Sequence, residues 1–405
     1  MNDTTSSFEF RALLGLAMML SLRMLGMFMV LPIMTSYGRV LVGSTELLLG
    51  IALGIYGITQ ACFQLPLGLL SDRIGRKPVI IGGLLLLSAG SLISALTSSI
   101  WGVIIGRALQ GTGAISGVAM ALLSDLTPDN HLSQAISFIG IILFITFVLS
   151  IIIGPIITHY IGLHGIFLLI TILSLCSIFI LHFVVPSPPL VKRKYFVATK
   201  YFQIIFRNYQ LLKINIGIFC LNLLLISNFT AFPLILKNSG LLYSQQWKIY
   251  LITLIISGMT IFSMRFYLNI NRCLKWVLIL CITILLGAEI IFWKTNNKFG
   301  IFIGIQLFFL SFNLLQTLLP SLVIKQSSAE YRGTVLGIYS TCQFLGGAIG
   351  GCVGGLLLKS ILDNKRIFLI NIIIALLWLG ISLTIREPLC VVEKKSRNRY
   401  SWRLK

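Results

Sequence analysis

A chain of 405 residues that is 57% hydrophobic, 11% charged and +0.96 in mean hydropathy is not a soluble globular protein. Thirty-two Lys and Arg oppose 11 Asp and Glu, a net charge of +21. The bases sit mostly in loops between apolar runs, which is membrane topology and an attraction to anionic lipid, not a nucleic-acid surface. Eight cysteines include no Cys-x-x-Cys pair and lie nearly all within apolar runs, as small hydrophobes; no disulfide, metal or cofactor is expected.

Apolar spans of about 20 residues, enough to cross a bilayer, fall near 11–36, 47–70, 78–97, 100–123, 133–158 and 162–185. They resume near 211–236, 246–268, 275–293, 299–324, 332–358 and 366–385. The first run is too long for a signal peptide. The reading is an all-α membrane protein of twelve transmembrane helices in two six-helix bundles, 1–185 and 211–385. Between them, 186–210 is a Pro- and Lys/Arg-rich cytoplasmic linker with room for a short amphipathic helix from Tyr195 to Phe206; 386–405 is a basic cytoplasmic tail. On this placement 22 Lys and Arg fall on the side of the termini, 8 on the other and 2, Arg23 and Arg107, within spans. The positive-inside rule then puts both termini in the cytoplasm. The halves repeat at an offset near 199 residues, Asp72-Arg73-Ile-Gly75-Arg76 against Asn271-Arg272-Cys-Leu274-Lys275.

The loop between spans 2 and 3 reads Gly68-Leu-Leu-Ser-Asp72-Arg73-Ile-Gly75-Arg76-Lys77-Pro78. Glycine permits a positive φ and close approach of helix ends, and Pro78 suits a first helical turn. A solvated basic loop that merely fixes topology is the simpler alternative. On these residues the chain resembles the major facilitator superfamily, whose loop 2–3 carries G-x-L-a-D-R-x-G-R-K-x. The resemblance implies a transporter fold with a cavity between two repeats. It also implies a gate: Asp72 caps the start of span 11, near Tyr331-Arg332-Gly333-Thr334, while Arg76 pairs with Asp125 below span 4. Taken alone, Asp72 could equally be solvated or bonded to Arg76.

Span 4 carries Arg107, Gln110 and Gly111 on the superfamily's R-x-x-Q-G-x-G pattern, linked there to proton coupling. A purely structural arginine bonded to carbonyls is the alternative; an intramembrane arginine should in either case face the bundle. Span 5 carries Gly154 and Pro155, part of an antiporter motif G-x-x-x-G-P whose first glycine is here Ser150. If spans 1, 4, 7 and 10 line the cavity, as the resemblance implies, the substrate contacts are Arg23, Asn222, Asn228, Asn313 and Gln316, each also able to serve as an interhelical hydrogen bond. Glu289 in span 9 and His159 at the end of span 5 are the proton-site candidates, with Glu289 within snorkelling reach of the interface. The glycines of span 11 (Gly333 to Gly355) and Gly50, Gly54 and Gly57 of span 2 are expected to form sliding surfaces between the halves, with ordinary tight helix packing as the alternative.

Residues 21–32, 68–78 and 122–127 resemble the YajR-type inner-membrane efflux transporters of Gram-negative bacteria. Where that type adds a cytoplasmic domain after its twelfth helix, a basic tail is expected here. The expected activity is alternating-access efflux of small, amphiphilic molecules, coupled to protons, by a monomer in the bacterial inner membrane. An uncoupled facilitator is the second reading. A membrane enzyme or scaffold is disfavoured, since no nucleophile motif, acid pair or metal spacing occurs.

Overall fold

The computed structural model describes residues 2–186, 208–268, 274–295, 297–326, 332–357 and 364–385. The helices in chain order are α1 (Asn2–Tyr37), α2 (Glu46–Ile74), α3 (Arg76–Leu96), α4 (Ile100–Thr112), α5 (Ser116–Leu126) and α6 (Asp129–Phe183). They continue with α7 (Tyr209–Asn238), α8 (Trp247–Leu268), α9 (Leu274–Lys294), α10 (Lys298–Gln326), α11 (Arg332–Leu357) and α12 (Asn364–Leu383). The amphipathic stretch 195–206, the mate loop at Asn271 and Arg272, and the tail 386–405 lie outside the described residues.

Among the described residues ten helices are long and apolar enough to cross a membrane, and Trp247–Thr260 of α8 is a shorter apolar helix. Helices dominate because lipid cannot satisfy backbone polar groups and a helix satisfies its own. Their starts are capped at the surface: Thr45 Oγ1 accepts from Leu48 N at 3.2 Å, Ser99 Oγ from Trp101 N at 3.3 Å, and Asn208 Oδ1 from Gln210 N at 3.1 Å.

Two details depart from the hydropathy reading. The fourth span is broken: α4 ends at Thr112, and α5 restarts at Ser116 after Gly113, whose ψ of 44° is non-helical. The fifth and sixth spans form one run, interrupted at Gly162 by φ 72° and ψ −177°. The chain doubles back there. Phe28 of α1 meets Phe147 at 4.8 Å between ring centroids, while two residues earlier the Cα of Gly26 faces Ile170, so both arms of α6 lie at one level of α1.

The apolar interior falls into two clusters. One is confined to the N-terminal half at the end bearing the Gly68–Pro78 turn (the loop end); it includes Leu16, Ile80, Leu84, Leu122 and Val185. The other runs continuously from Met29, Ile33, Leu49 and Leu53 into Leu221, Phe229, Phe309 and Phe368 of the C-terminal half. The halves therefore share a core at the far end and not at the loop end.

Candidate functional site

The Gly68–Pro78 turn is built around Gly75, whose φ of +99° both ends α2 and starts α3 and would strain any residue with a Cβ. Reversal there brings Arg76 back over α2, where Nη2 lies 2.6 Å from Asp72 Oδ1 and Nη1 donates to Ser71 Oγ. Its Nε donates to Asp125 Oδ2 at 3.3 Å, tying the turn to α5. Lys77 donates to the Val185 carbonyl at the end of α6. Arg73 points to solvent. Each of these partners belongs to the N-terminal half. Asp72 is 45% exposed, and a side chain added at Gly68 of α2 or at Gly337 of α11 would meet nothing within 4 Å. Tyr331, in the expected cap for Asp72, lies outside the described residues; in this conformation the carboxylate is paired with Arg76.

The far end is the reverse case. Gly50, Gly54 and Gly57 of α2 lie on Gly351, Ala348 and Phe344 of α11. A Cβ at Gly54 would sit 2.5 Å from the Ala348 carbonyl, and one at Gly57 2.6 Å from that of Phe344. Thr35 Oγ1 of α1 donates to the Phe229 carbonyl of α7 at 3.4 Å, and the Tyr37 and Tyr243 rings stand 6.2 Å apart. Midway, Phe147 of α6 meets Phe312 of α10 at 6.0 Å. The glycine expectation needs correcting, since α11 has two glycine faces and only one crosses between halves. Gly346, Gly350 and Gly354 press on Phe219, Leu223 and Thr230 of α7 within the C-terminal half.

A polar ladder runs through the interior of the N-terminal half. Gln110 donates to Ser91 Oγ at 2.9 Å and accepts from Arg107 Nη1 at 2.7 Å; Arg107 Nε donates to the Ala52 carbonyl at 3.3 Å. The Arg107 guanidinium lies 4.5 Å over the Tyr56 ring, and Tyr56 Oη in turn accepts from Arg23 Nη2 at 3.4 Å. Arg23 Nη1 and Gln60 both donate to Ser116 Oγ, at 3.1 and 3.2 Å. Gly111 must be small, because a side chain there would strike Thr59 and Tyr56 of α2. In α6, Gly154 packs on α1, where a Cβ would be 3.0 Å from the Met29 carbonyl, and Pro155 follows it inside the helix.

The C-terminal candidates separate. Asn228, expected at the cavity, is buried within the half, donating to Glu289 Oε1 at 2.6 Å and accepting from Asn371 Nδ2 at 3.1 Å. Asn371 also reaches Glu289 Oε2 at 3.4 Å and accepts from Ser227. Glu289 does not snorkel: it is 0% exposed, held inward by two side-chain amides, Asn228 of α7 and Asn371 of α12. Asn222 donates to the Ile218 carbonyl of its own helix. Asn313 Nδ2 and Gln316 Oε1 are buried without a partner. His159 lies exposed beside Tyr160. Tyr56, Gln60, Ser116 and Asn371 were absent from the sequence candidates. Asn371, the one polar residue in the apolar run 367–381, was the available signal.

Residues 12–351 match the family model for the Major Facilitator Superfamily. The chain belongs to that superfamily. It is 47% identical over 383 residues to the inner membrane transport protein YajR of Escherichia coli (strain K12), covering 94% of this chain and 84% of the relative. A tetracycline resistance protein, class B, from Escherichia coli is 30% identical over 165 residues, 39% of this chain and 40% of the relative. The crystal structure of a D-xylose–proton symporter superposes with a TM-score of 0.76 at 15% identity, over 94% of this chain and 99% of that one, and shows the shared fold. This protein is a multi-pass membrane transporter of the superfamily, not an enzyme.

Proposed function

We propose that the transporter exports small amphiphilic molecules across the inner membrane by alternating access, driven by protons. In this reading the chain crosses twelve times, with α4 and α5 sharing one crossing and α6 supplying two. Its halves, 1–185 and 211–385, are joined by the 186–210 linker, and both termini lie in the cytoplasm. It acts as a monomer in lipid. The carrying observation is the asymmetry between the ends: the halves share a core and packed glycine backbones at the far end, while the loop end leaves Gly68 and Gly337 clear. With the loop end in the cytoplasm, this is an inward-open state sealed outside. The Asp72–Arg76–Asp125 set is then a latch awaiting the opposite closure. Arg23, Asn313 and Gln316 face the substrate; Arg107 and Gln110 couple helices 2, 3 and 4; Glu289 carries the proton. The similarity to a tetracycline resistance protein supports export.

A specific observation favours the uncoupled facilitator as second reading. Glu289 is bonded inside the C-terminal half, whereas the N-terminal ladder contains no carboxylate among the described residues. Proteoliposomes loaded with a panel of amphiphilic compounds decide between them. Flux that accumulates a compound only under an imposed pH gradient supports coupling; equal flux with and without the gradient establishes the facilitator.

A further inference from the structure

The N-terminal half buries two guanidinium groups, Arg23 at 1% and Arg107 at 2% exposure, one at the hydroxyl and one over the ring of Tyr56. The ion pairs among the described residues are Arg39–Glu46, Arg76–Asp72 and Arg76–Asp125, so neither buried arginine has a carboxylate. The buried carboxylate Glu289 is bonded within the other half. Buried charge of one sign is costly unless a counter-charge arrives. Arg107 sets its Nε on the Ala52 carbonyl, its Nη1 on Gln110 and its face on Tyr56. Arg23 keeps its Nε buried with no acceptor.

The neighbourhood of Arg23 adds more donors. The fourth span restarts at Ser116, and no side chain caps the first turn of α5. The N–H groups of that turn, with the positive end of an 11-residue helix dipole, therefore open beside Arg23. Ser116 Oγ already accepts from Arg23 and from Gln60, which occupies both lone pairs and leaves its own proton to donate. Gln64, close to Gly117, has its Nε2 donor and its Oε1 acceptor both buried without a partner, as is Gln60 Oε1, so the cluster can also accept a bond from a protonated or hydroxyl-bearing ligand. Gly117 is exposed and Ser116 half-buried, so the cluster is reached at that edge.

We infer that Arg23, Ser116 and the uncapped start of α5 form a subsite for the anionic group, a carboxylate or phosphate, of the transported molecule. The inference rests on the proposed substrate path between the halves. A broken membrane helix presenting its N-terminus to an anion is a general solution to binding charge at membrane depth. Here the arginine supplies full charge and the serine orientation. Tyr56 passes the state of the subsite to Arg107, since one ring receives Arg23 at its hydroxyl and Arg107 on its face.

The test uses the full chain in phosphatidylcholine nanodiscs, with benzoate and phenyl phosphate as probes and benzamide as the neutral counterpart, read by thermal unfolding and by calorimetric Kd. One or both anions should bind and raise the unfolding temperature, and benzamide should not. Arg23→Gln or Ser116→Ala should weaken anion binding about tenfold to a hundredfold, as a lost charge-assisted bond does, and Arg23→Lys should restore part of it. If Arg23→Gln fails to fold, Ser116→Ala alone carries the test. An equal response to benzamide, no response to either anion, or variants binding like the native chain overturns the proposal. So does phosphatidylglycerol displacing the anions, which assigns the site to a lipid headgroup. Binding requires no gradient, so the outcome is separate from that of the proton-coupling experiment.

Discussion

Asp72 and Glu289 show how differently two carboxylates are used in one membrane protein. Asp72 is half in water, and an exposed pair of this kind contributes about 0–1 kcal/mol. Asp72→Asn should therefore unfold within a degree or two of the native protein. Its transport should nonetheless fall severalfold if, as proposed, the carboxylate that bonds Arg76 in this state closes against α11 in the other and so biases the equilibrium between them. Labelling of cysteines on the loop-end face should rise in the variant; unchanged labelling with normal transport would remove Asp72 from the gate. Glu289 is the opposite case. Asn228 and Asn371 both point N–H groups at it, and the carbonyl oxygens of both amides are already engaged. In Glu289→Gln an NH2 would replace one acceptor and face a donor that cannot turn away. The loss should be about 1–3 kcal/mol, read as a lower unfolding temperature in lipid nanodiscs. A variant as stable as the native chain would show that the amides rearrange freely.

At the scale of helices, the two glycine faces of α11 should respond differently to the same substitution. Gly350→Leu would drive a side chain into the Leu223 carbonyl within the C-terminal half, so folded protein and expression should drop. Gly54→Leu presses across the seam on Ala348 and should leave each half folded while opening the far end. Equal expression of the two variants would contradict the assignment of faces. The sequence could not separate these faces: small-x-x-x-small spacing marks close approach, but only tertiary packing decides which helix approaches. The all-helical membrane architecture was legible, since twenty apolar residues in lipid have few alternatives to a helix, though ten helices among the described residues, not twelve, are long and apolar enough to span. The Gly68–Pro78 turn was legible for a similar reason, because its charges and its positive-φ glycine are local. The break before Ser116 was not, because Gly113-Ala-Ile is as apolar as an unbroken helix. The burial of Glu289 depends on Asn371, 82 residues away, and no local pattern announces that contact.

For the whole molecule, the proposed function requires one rigid-body exchange in which the seam closes at one end as it opens at the other. Lipid-facing residues such as Leu85, Ile105, Phe179 and Trp276 leave the outer surface apolar, so the moving parts meet only along the seam. The separate core near the loop end lets the N-terminal half move without unpacking. The most direct measurement is a pair of spin-label distances on a cysteine-free background: Leu69–Gly337 across the loop end and Val40–Leu242 across the far end. Both should be recorded with native Gly54 and with Gly54→Phe. The native protein should give a long loop-end and a short far-end distance, and the wedge at Gly54 should lengthen the far-end distance while shortening the loop-end one. If the far end opens and the loop-end distance stays as it was, the halves do not exchange closures, and the alternating-access account is contradicted.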